Sequence, residues 1–387
     1  MSSVMSRSLV LVLALSAGVA VANIYYNQPM LGLLARDLGV SPQAIGAVPV
    51  LTQVGYALGI FLLSPLGDRI ERKTLILWTL AGLAAALAGT ALAQGLTQML
   101  AASLAIGVLA TVTQQIVPLS AQIAPADQRG KVVGTVMMGL LLGILLARTI
   151  SGAVAAHLGW REMYWLAAAA TVLLGVLLSM RLPRIEPTTR LSYGGLMASL
   201  LELARSHPVL LRAAFIQALL FGAFSAFWST LALLLEGEPY HLGSQEAGAV
   251  GLVGAAGALA APVIGRFADK RGPSVMVLAG AVLVAVSFVL FGGWQGSMTA
   301  LLVGVLVMDL GVQAAMVSNQ ARVYALDPAA RSRLNTVYMT VMFLGGAAGA
   351  AAGAKAWAWL GWSGVSALGA VMGAAAVLLE YAARRKG

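Results

Sequence analysis

The 387-residue chain contains no cysteine. That excludes a disulfide framework and a thiolate metal site, and it leaves the compartment unread from redox chemistry. Charge is also scarce: 10% of the residues are charged, against about 25% in an ordinary soluble domain. So few charges cannot cover a water-facing surface of this length. There are three histidines, His157, His207 and His241. They lie far apart at the ends of apolar runs, so their spacing does not build a metal cluster. Neither an H-E-x-x-H pair nor a Walker A sequence is present, which argues against a metal hydrolase and against ATP-driven pumping. No segment outside the apolar runs is longer than 182–206, which leaves no room for the soluble output domain of a sensor.

What the chain has in abundance is hydrocarbon. Hydrophobic residues make up 60% of it, and mean hydropathy is +0.88. Apolar stretches fall at 8–30, 43–65, 74–93, 98–121, 131–156, 161–181, 207–235, 244–264, 274–292, 297–321, 332–356 and 362–382. Each is long enough to cross about 30 Å of hydrocarbon as a helix. In lipid, backbone polar groups must be satisfied within the segment, so spans of this kind are helices. The reading is an all-α membrane protein of twelve transmembrane helices. Arg7, the run 9–21 and Ala20-Val21-Ala22 outline a secretory signal peptide. Asn23, Tyr25, Tyr26, Asn27 and Gln28 follow directly, and the segment is read instead as the first span. Glycines at three- or four-residue spacing, as in Gly345, Gly349 and Gly353, allow close helix packing.

Lys and Arg sort by side. Of the 24 basic residues, 20 fall at one face of the twelve spans. Arg36, Arg161 and Lys355 fall at the other, and Arg148 lies inside a span. The positive-inside rule then places both termini in the cytoplasm of a bacterial inner membrane. The net charge of +10 therefore reads as topology and contact with anionic lipid rather than a nucleic-acid partner.

The chain also repeats itself. Asp68 and Asp269 open corresponding loops 201 residues apart, Asp127 and Asp327 are 200 apart, and Gly159-Trp160 and Gly361-Trp362 are 202 apart. Three landmarks at nearly one offset indicate a duplication. It divides the chain into six-helix halves at 1–181 and 207–387, joined by a cytoplasmic linker at 182–206. Such halves place a substrate site between them, near the bilayer midplane.

Gly265-Arg266-Phe267-Ala268-Asp269-Lys270-Arg271-Gly272 resembles the G-x-x-x-D-x-x-G loop of the major facilitator superfamily. A degenerate copy, with Asp68, Arg69 and Arg72, sits in the first half. The resemblance implies the twelve-helix fold of that family and a conformational latch made by Asp68, Arg69, Arg72, Gly265, Asp269, Lys270, Arg271 and Gly272. A carboxylate at a helix N-terminus suits such a latch electrostatically. The segments 23–29 and 143–152 are similar to the bacterial drug, sugar and nucleoside efflux branch, which implies a proton antiporter. Where that branch carries Gly-Pro in span five, this chain has Ala147-Arg148. Where it carries an arginine in span four, this chain has Ser103.

Two ionisable residues lie inside spans. A charge facing lipid there costs at least about 2.5–3.5 kcal/mol, so Asp309 and Arg148 are expected to face the bundle interior. Asp309 is the candidate proton-linked carboxylate. Arg148 is its candidate counter-ion or the binder of an anionic group. Polar residues expected at a substrate cavity are Asn23, Tyr26, Gln28, Gln53, Tyr56, Gln114, Gln115, Gln217, Trp228, Gln313, Asn319, Asn335 and Tyr338, about half of which should touch it. Others should instead join helices. The sequence thus predicts a monomeric secondary transporter for a small molecule, with export favoured over import. It needs no cofactor, draws on the proton gradient, and is not an enzyme.

Overall fold

The structure is a computed structural model. It describes residues 6–125, 127–184, 187, 191–259, 271–327 and 330–385, with the backbone alone at 255–259. Among the described residues the chain is helical and contains no strand.

The first helix, α1 (Arg7–Ala22), continues through turns and a 3-10 segment (Gln28–Met30) into α2 (Leu31–Asp37). Two rods follow: α3 (Pro42–Ile45), α4 (Ala47–Leu63) and α5 (Leu66–Arg69) form one, and α7 (Leu96–Ala110) with α8 (Thr113–Ile123) form the other. Between them lies α6 (Arg72–Ala91). Next come α9 (Arg129–His157), α10 (Trp160–Arg181), α11 (Tyr193–Ser206), α12 (Pro208–Glu236) and α13 (Ser244–Leu259). The chain ends with α14 (Pro273–Gly293), α15 (Met298–Leu326) and α16 (Arg331–Arg384).

Nine helices among the described residues are long and apolar enough to cross a membrane. One is the 54-residue α16. At 1.5 Å per residue it would stretch to about 80 Å, far more than one bilayer. It breaks at Gly361, whose φ of 57° only glycine adopts cheaply. Gly159, before α10, also has positive φ, 118°. The two Gly-Trp landmarks are therefore the same kind of turn. The remaining expected spans fall on α1 and α13, each of 16 described residues.

Helix starts follow local chemistry. Glu71 caps α6 by accepting from the backbone N–H of Lys73 and Thr74 at 3.0 and 2.9 Å. Ser192 caps α11, and Ser297 caps α15, in the same way. Pro208 and Pro273 occupy first-turn positions, where a missing N–H costs nothing. One feature departs from the sequence reading: the linker is not only a loop. Its second part is the 14-residue α11, which buries Leu196 and Leu200, one turn apart, with Leu200 in a cluster with Leu210 and Leu334.

Small residues set the helix pairing. A Cβ on Gly349 would lie 2.1 Å from the Gly222 carbonyl oxygen, so α16 and α12 pack backbone to backbone. Two seams join residues before the linker to residues after it, α9 with α13 and α4 with α16. In the first, a Cβ on Gly152 would lie 2.3 Å from the Ser244 carbonyl oxygen. Only near-contact of the two backbones allows that.

Candidate functional site

Between these elements lies a cavity of about 600 Å³, within the ordinary range of ligand sites. It reaches from Arg148, Trp228 and Asp309 inside the bundle to Asp68, Arg72 and Arg331 at one end. The opposite end is shut. There Leu31, Leu34 and Met30 are fully buried, Arg36 pairs with Glu236 at 2.8 Å, and Asn27 donates to Thr52 Oγ1 at 3.1 Å. Along the α9–α13 seam, Ser244 Oγ donates to the Gly152 carbonyl at 3.1 Å and Thr149 Oγ1 to the Gly248 carbonyl at 3.0 Å. Asp37 takes an ion pair from Arg161 and a 3.1 Å bond from Trp160 Nε1. The Arg161 hydrogen bond holds the Asp37 carboxyl below the usual carboxylate range.

At the inner limit of the cavity, Arg148 is 4% exposed. Its Nε donates to Gln28 Oε1 at 2.6 Å. The guanidinium carbon lies 4.1 Å from the Trp228 ring centre, 4.7 Å from Tyr25 and 5.5 Å from Phe224. Three π faces stabilise a cation without neutralising it. Among the described residues, Arg148 Nη2 and Trp228 Nε1 have no hydrogen-bond partner, and neither has Asp309 Oδ2. Asp309 lies on the cavity wall and is half-buried.

The expected Arg148–Asp309 pair is not a contact. The described ion pairs closer than 4.0 Å are Arg36–Glu236, Arg72–Asp68, Arg161–Asp37 and Arg322–Glu380. What brings Arg148 and Asp309 together is glycine on α13. A Cβ on Gly251 would sit 3.2 Å from Arg148 Cβ, and one on Gly254 would sit 2.9 Å from Asp309 Oδ2. The stem of Arg148 and the carboxyl of Asp309 thus rest on α13 about one turn apart.

Of the polar residues expected at the cavity, Tyr56, Gln114, Gln115, Trp228, Gln313 and Asn335 line it, as does Gln320. Gln115 also donates to the Leu63 carbonyl at 2.8 Å, satisfying the end of α4. The others lie off it. Asn23 bonds its own helix at the Val19 carbonyl, 2.8 Å away. Gln28 is consumed by Arg148. Gln53 accepts from Ser225 at 3.1 Å across the α4–α12 interface. Gln217 accepts from Asn319 at 3.4 Å, and both are fully buried. Tyr26 and Tyr338 are packed in the core. Residues the sequence reading passed over include Tyr25, Phe221, Phe224, Gly251 and Gly254. Phe221, Phe224 and Trp228, at i, i+3 and i+7, share one face of α12, a spacing visible in sequence.

Of the latch residues, Asp68 binds Arg72 Nη2 at 2.7 Å, and Arg72 Nε donates to the Gly67 carbonyl at 2.8 Å. Asp68 and Arg72 line the mouth of the cavity, and Arg69 is exposed. Arg271 is exposed and Gly272 has φ 84°. Gly265, Asp269 and Lys270 lie outside the described residues. Arg322, counted as a loop cation in the charge pattern, is instead part of a buried cluster. It pairs with Glu380, which is 1% exposed, and donates to Ser274 Oγ at 2.6 Å. Among the described residues no group of three His, Asp or Glu is placed to hold a metal.

Residues 13–259 and 213–386 match the Major Facilitator Superfamily. Over 368 residues the chain is 39% identical to the transporter YgaY of Escherichia coli O157:H7, covering 95% of this chain and 93% of that one. It is 25% identical over 291 residues, 71% of each chain, to the multidrug resistance protein MdtG of Dickeya zeae. Among solved structures, the bacterial homologue of the human lysosomal transporter Spinster, inward-facing and occupied, superposes with a TM-score of 0.76 at 14% identity, over 98% of this chain and 96% of that one. With a whole-chain family match and a full-length relative above 30% identity, this membrane-spanning chain belongs to the Major Facilitator Superfamily.

Proposed function

We propose that the protein is a secondary active transporter that carries a small organic solute across a bacterial inner membrane by alternating access. In this reading twelve spans form two six-helix halves, 1–181 and 207–387, joined by 182–206. Both termini are cytoplasmic, and the proton gradient supplies the energy through Asp309. The observation that carries it is the cavity itself. It is a space of about 600 Å³ that ends blind at one acidic and one basic side chain, reaches the opposite end of the bundle, and is shut beyond them by the α9–α13 seam. Export as the working direction is supported by the efflux-like segments of spans one and five and by the name of the MdtG relative.

The test is flux in proteoliposomes with an imposed pH gradient and a panel of solutes. Wild type should accumulate or expel solute against its gradient. Asp309→Asn should lose the gradient-driven component while keeping solute exchange. Full gradient-driven flux by Asp309→Asn would remove Asp309 from coupling, and absence of flux for every solute would remove the transporter assignment. Orientation is tested separately by impermeant labelling of Ser192→Cys and Gln245→Cys, both exposed, in intact cells. Only the second should react.

A further inference from the structure

We propose that the blind end of the cavity is a seat for the carboxylate of an organic anion, bound by Arg148 Nη2 and Trp228 Nε1. This deepens the transporter reading and rests on it for its purpose, though not for its test.

The two nitrogens share three properties. Each belongs to a side chain nearly sealed from solvent, Arg148 at 4% and Trp228 at 2% exposure. Each is a donor with no acceptor among the described residues. Each side chain also borders the cavity. A buried donor left unmade is costly, more so when charged, and proteins keep such groups where something else satisfies them. The guanidinium lies 4.1 Å from the Trp228 ring centre, so the two donors converge on one region. A guanidinium offers paired N–H groups that match the two oxygens of a carboxylate. Gln28 already occupies Nε at 2.6 Å, which fixes the plane of the fork and leaves the Nη side to face a ligand.

The sign of the solute follows from what can be neutralised. Arginine keeps its charge in proteins. No carboxylate among the described residues lies within 4.0 Å of Arg148, and the three aromatic rings leave its charge intact. Asp309 can be neutralised by one proton. The permanent charge at the blind end is therefore positive. At the mouth Asp68 and Arg72 pair, and Arg331 adds a further cation. The cavity walls carry apolar side chains, among them Ile144, Leu145, Phe221 and Phe343. They fit the hydrocarbon or aryl body of a monocarboxylate and favour it over a strongly hydrated inorganic anion.

The test uses the purified full-length protein in detergent. Its thermal stability is measured with benzoate, 3-phenylpropionate and 2-naphthoate, each against its primary amide and the corresponding primary amine. At least one carboxylate should stabilise wild type while its amide and amine do not. Arg148→Gln should weaken carboxylate binding on the order of 10- to 100-fold, as expected for a hydrogen-bonded ionic contact, with Arg148→Lys between the two. Trp228→Phe keeps the aromatic face and loses only the N–H, so it should weaken binding by about 10-fold. It decides the matter if Arg148→Gln does not fold. Equal stabilisation by amide or amine, carboxylate binding unchanged in both Arg148→Gln and Trp228→Phe, or no shift with any carboxylate would overturn the seat. Flux is measured separately in proteoliposomes. Arg148-dependent binding without flux would overturn the transporter reading and keep the seat. Flux of neutral or cationic solutes indifferent to Arg148 would do the reverse.

Discussion

Gln28, on the 3-10 turn that follows α1, accepts a 2.6 Å hydrogen bond from Arg148 Nε of α9. The contact spans 120 residues of sequence and aims a guanidinium into the cavity. Gln28→Ala should leave the charge in place but free the fork, weakening solute binding by about 10-fold while the fold persists. Gln28→Glu should do more harm, because it puts a carboxylate against Arg148 that competes with an anionic solute. Thermal-shift titration of both variants checks the order, and an unchanged affinity in Gln28→Glu would mean that Arg148 does not meet the solute.

The glycines of α13 should separate packing from coupling. A Cβ at Gly248 would meet the Arg148 backbone oxygen at 2.5 Å, which no side-chain rotation relieves. Gly248→Ala should lose about 1–3 kcal/mol of stability, as overpacked positions do. The three atoms nearest a Cβ at Gly254 all belong to the Asp309 carboxyl, with Oδ2 at 2.9 Å. That group ends a flexible side chain, so Gly254→Ala should melt near wild type yet lose most gradient-driven flux. Melting curves beside proteoliposome flux test the contrast, which fails if both variants lose stability equally.

Proton coupling should have a defined sign. Among the described residues, the charged and titratable side chains that interact electrostatically with Asp309 are Arg148 from α9 and Tyr25 from the turn after α1, and on α13 it lies against Gly254. An organic anion seated at Arg148 repels a deprotonated Asp309 on the wall of the same cavity. Anion binding should therefore be accompanied by proton uptake, the coupling by which an inward proton gradient drives import, the alternative to the export direction that the efflux-like segments support. Calorimetry in buffers of different ionisation enthalpy reads the proton count. Wild type should take up protons on binding and Asp309→Asn should not. Proton release on binding would point to exchange of solute for proton instead.

The Arg36–Glu236 pair links α2 to α12 at the closed end, with side chains 62% and 21% exposed. An exposed pair contributes about 0.2–1 kcal/mol, so Glu236→Gln should shift the balance of open and closed forms by a factor of about 1.5–5. Ser244 is buried in the neighbouring seam, 4% exposed. A thiol introduced by Ser244→Cys into this cysteine-free chain should react with a small maleimide faster, by that factor, when Glu236→Gln is also present. An equal rate in both backgrounds would show that the pair does not hold this end shut.

Much of the architecture was legible because lipid imposes one rule on long segments. Apolar runs near twenty residues must be helices that satisfy their own backbones, so 74–93 and 98–121 fall within a few residues of the observed Arg72–Ala91 and Leu96–Ile123. The Gly159-Trp160 and Gly361-Trp362 landmarks were legible for a related reason. A tight turn between two helices needs a residue with positive φ, and the sequence marks it. The amphipathic helix α11 was missed because prolines and mixed charge at its head resemble a loop, although Ser192 and the Leu196–Leu200 spacing announce it.

Residue type by itself said that Asp309 and Arg148 must avoid lipid, since a charge facing hydrocarbon is costly on any helix. It could not say that they rest on two glycines of α13, or that Gln28 would be spent on Arg148 rather than on a solute. Nor could it say that Glu380 would bury itself against Arg322. Those pairings join residues 55 to 120 positions apart. They depend on the relative rotation of helices, which close backbone contact at residues such as Gly152 and Gly349 fixes and which hydropathy does not encode. The sequence determined which segments enter the membrane and which side chains may not face lipid. The packing of small residues alone decided which of those side chains meet.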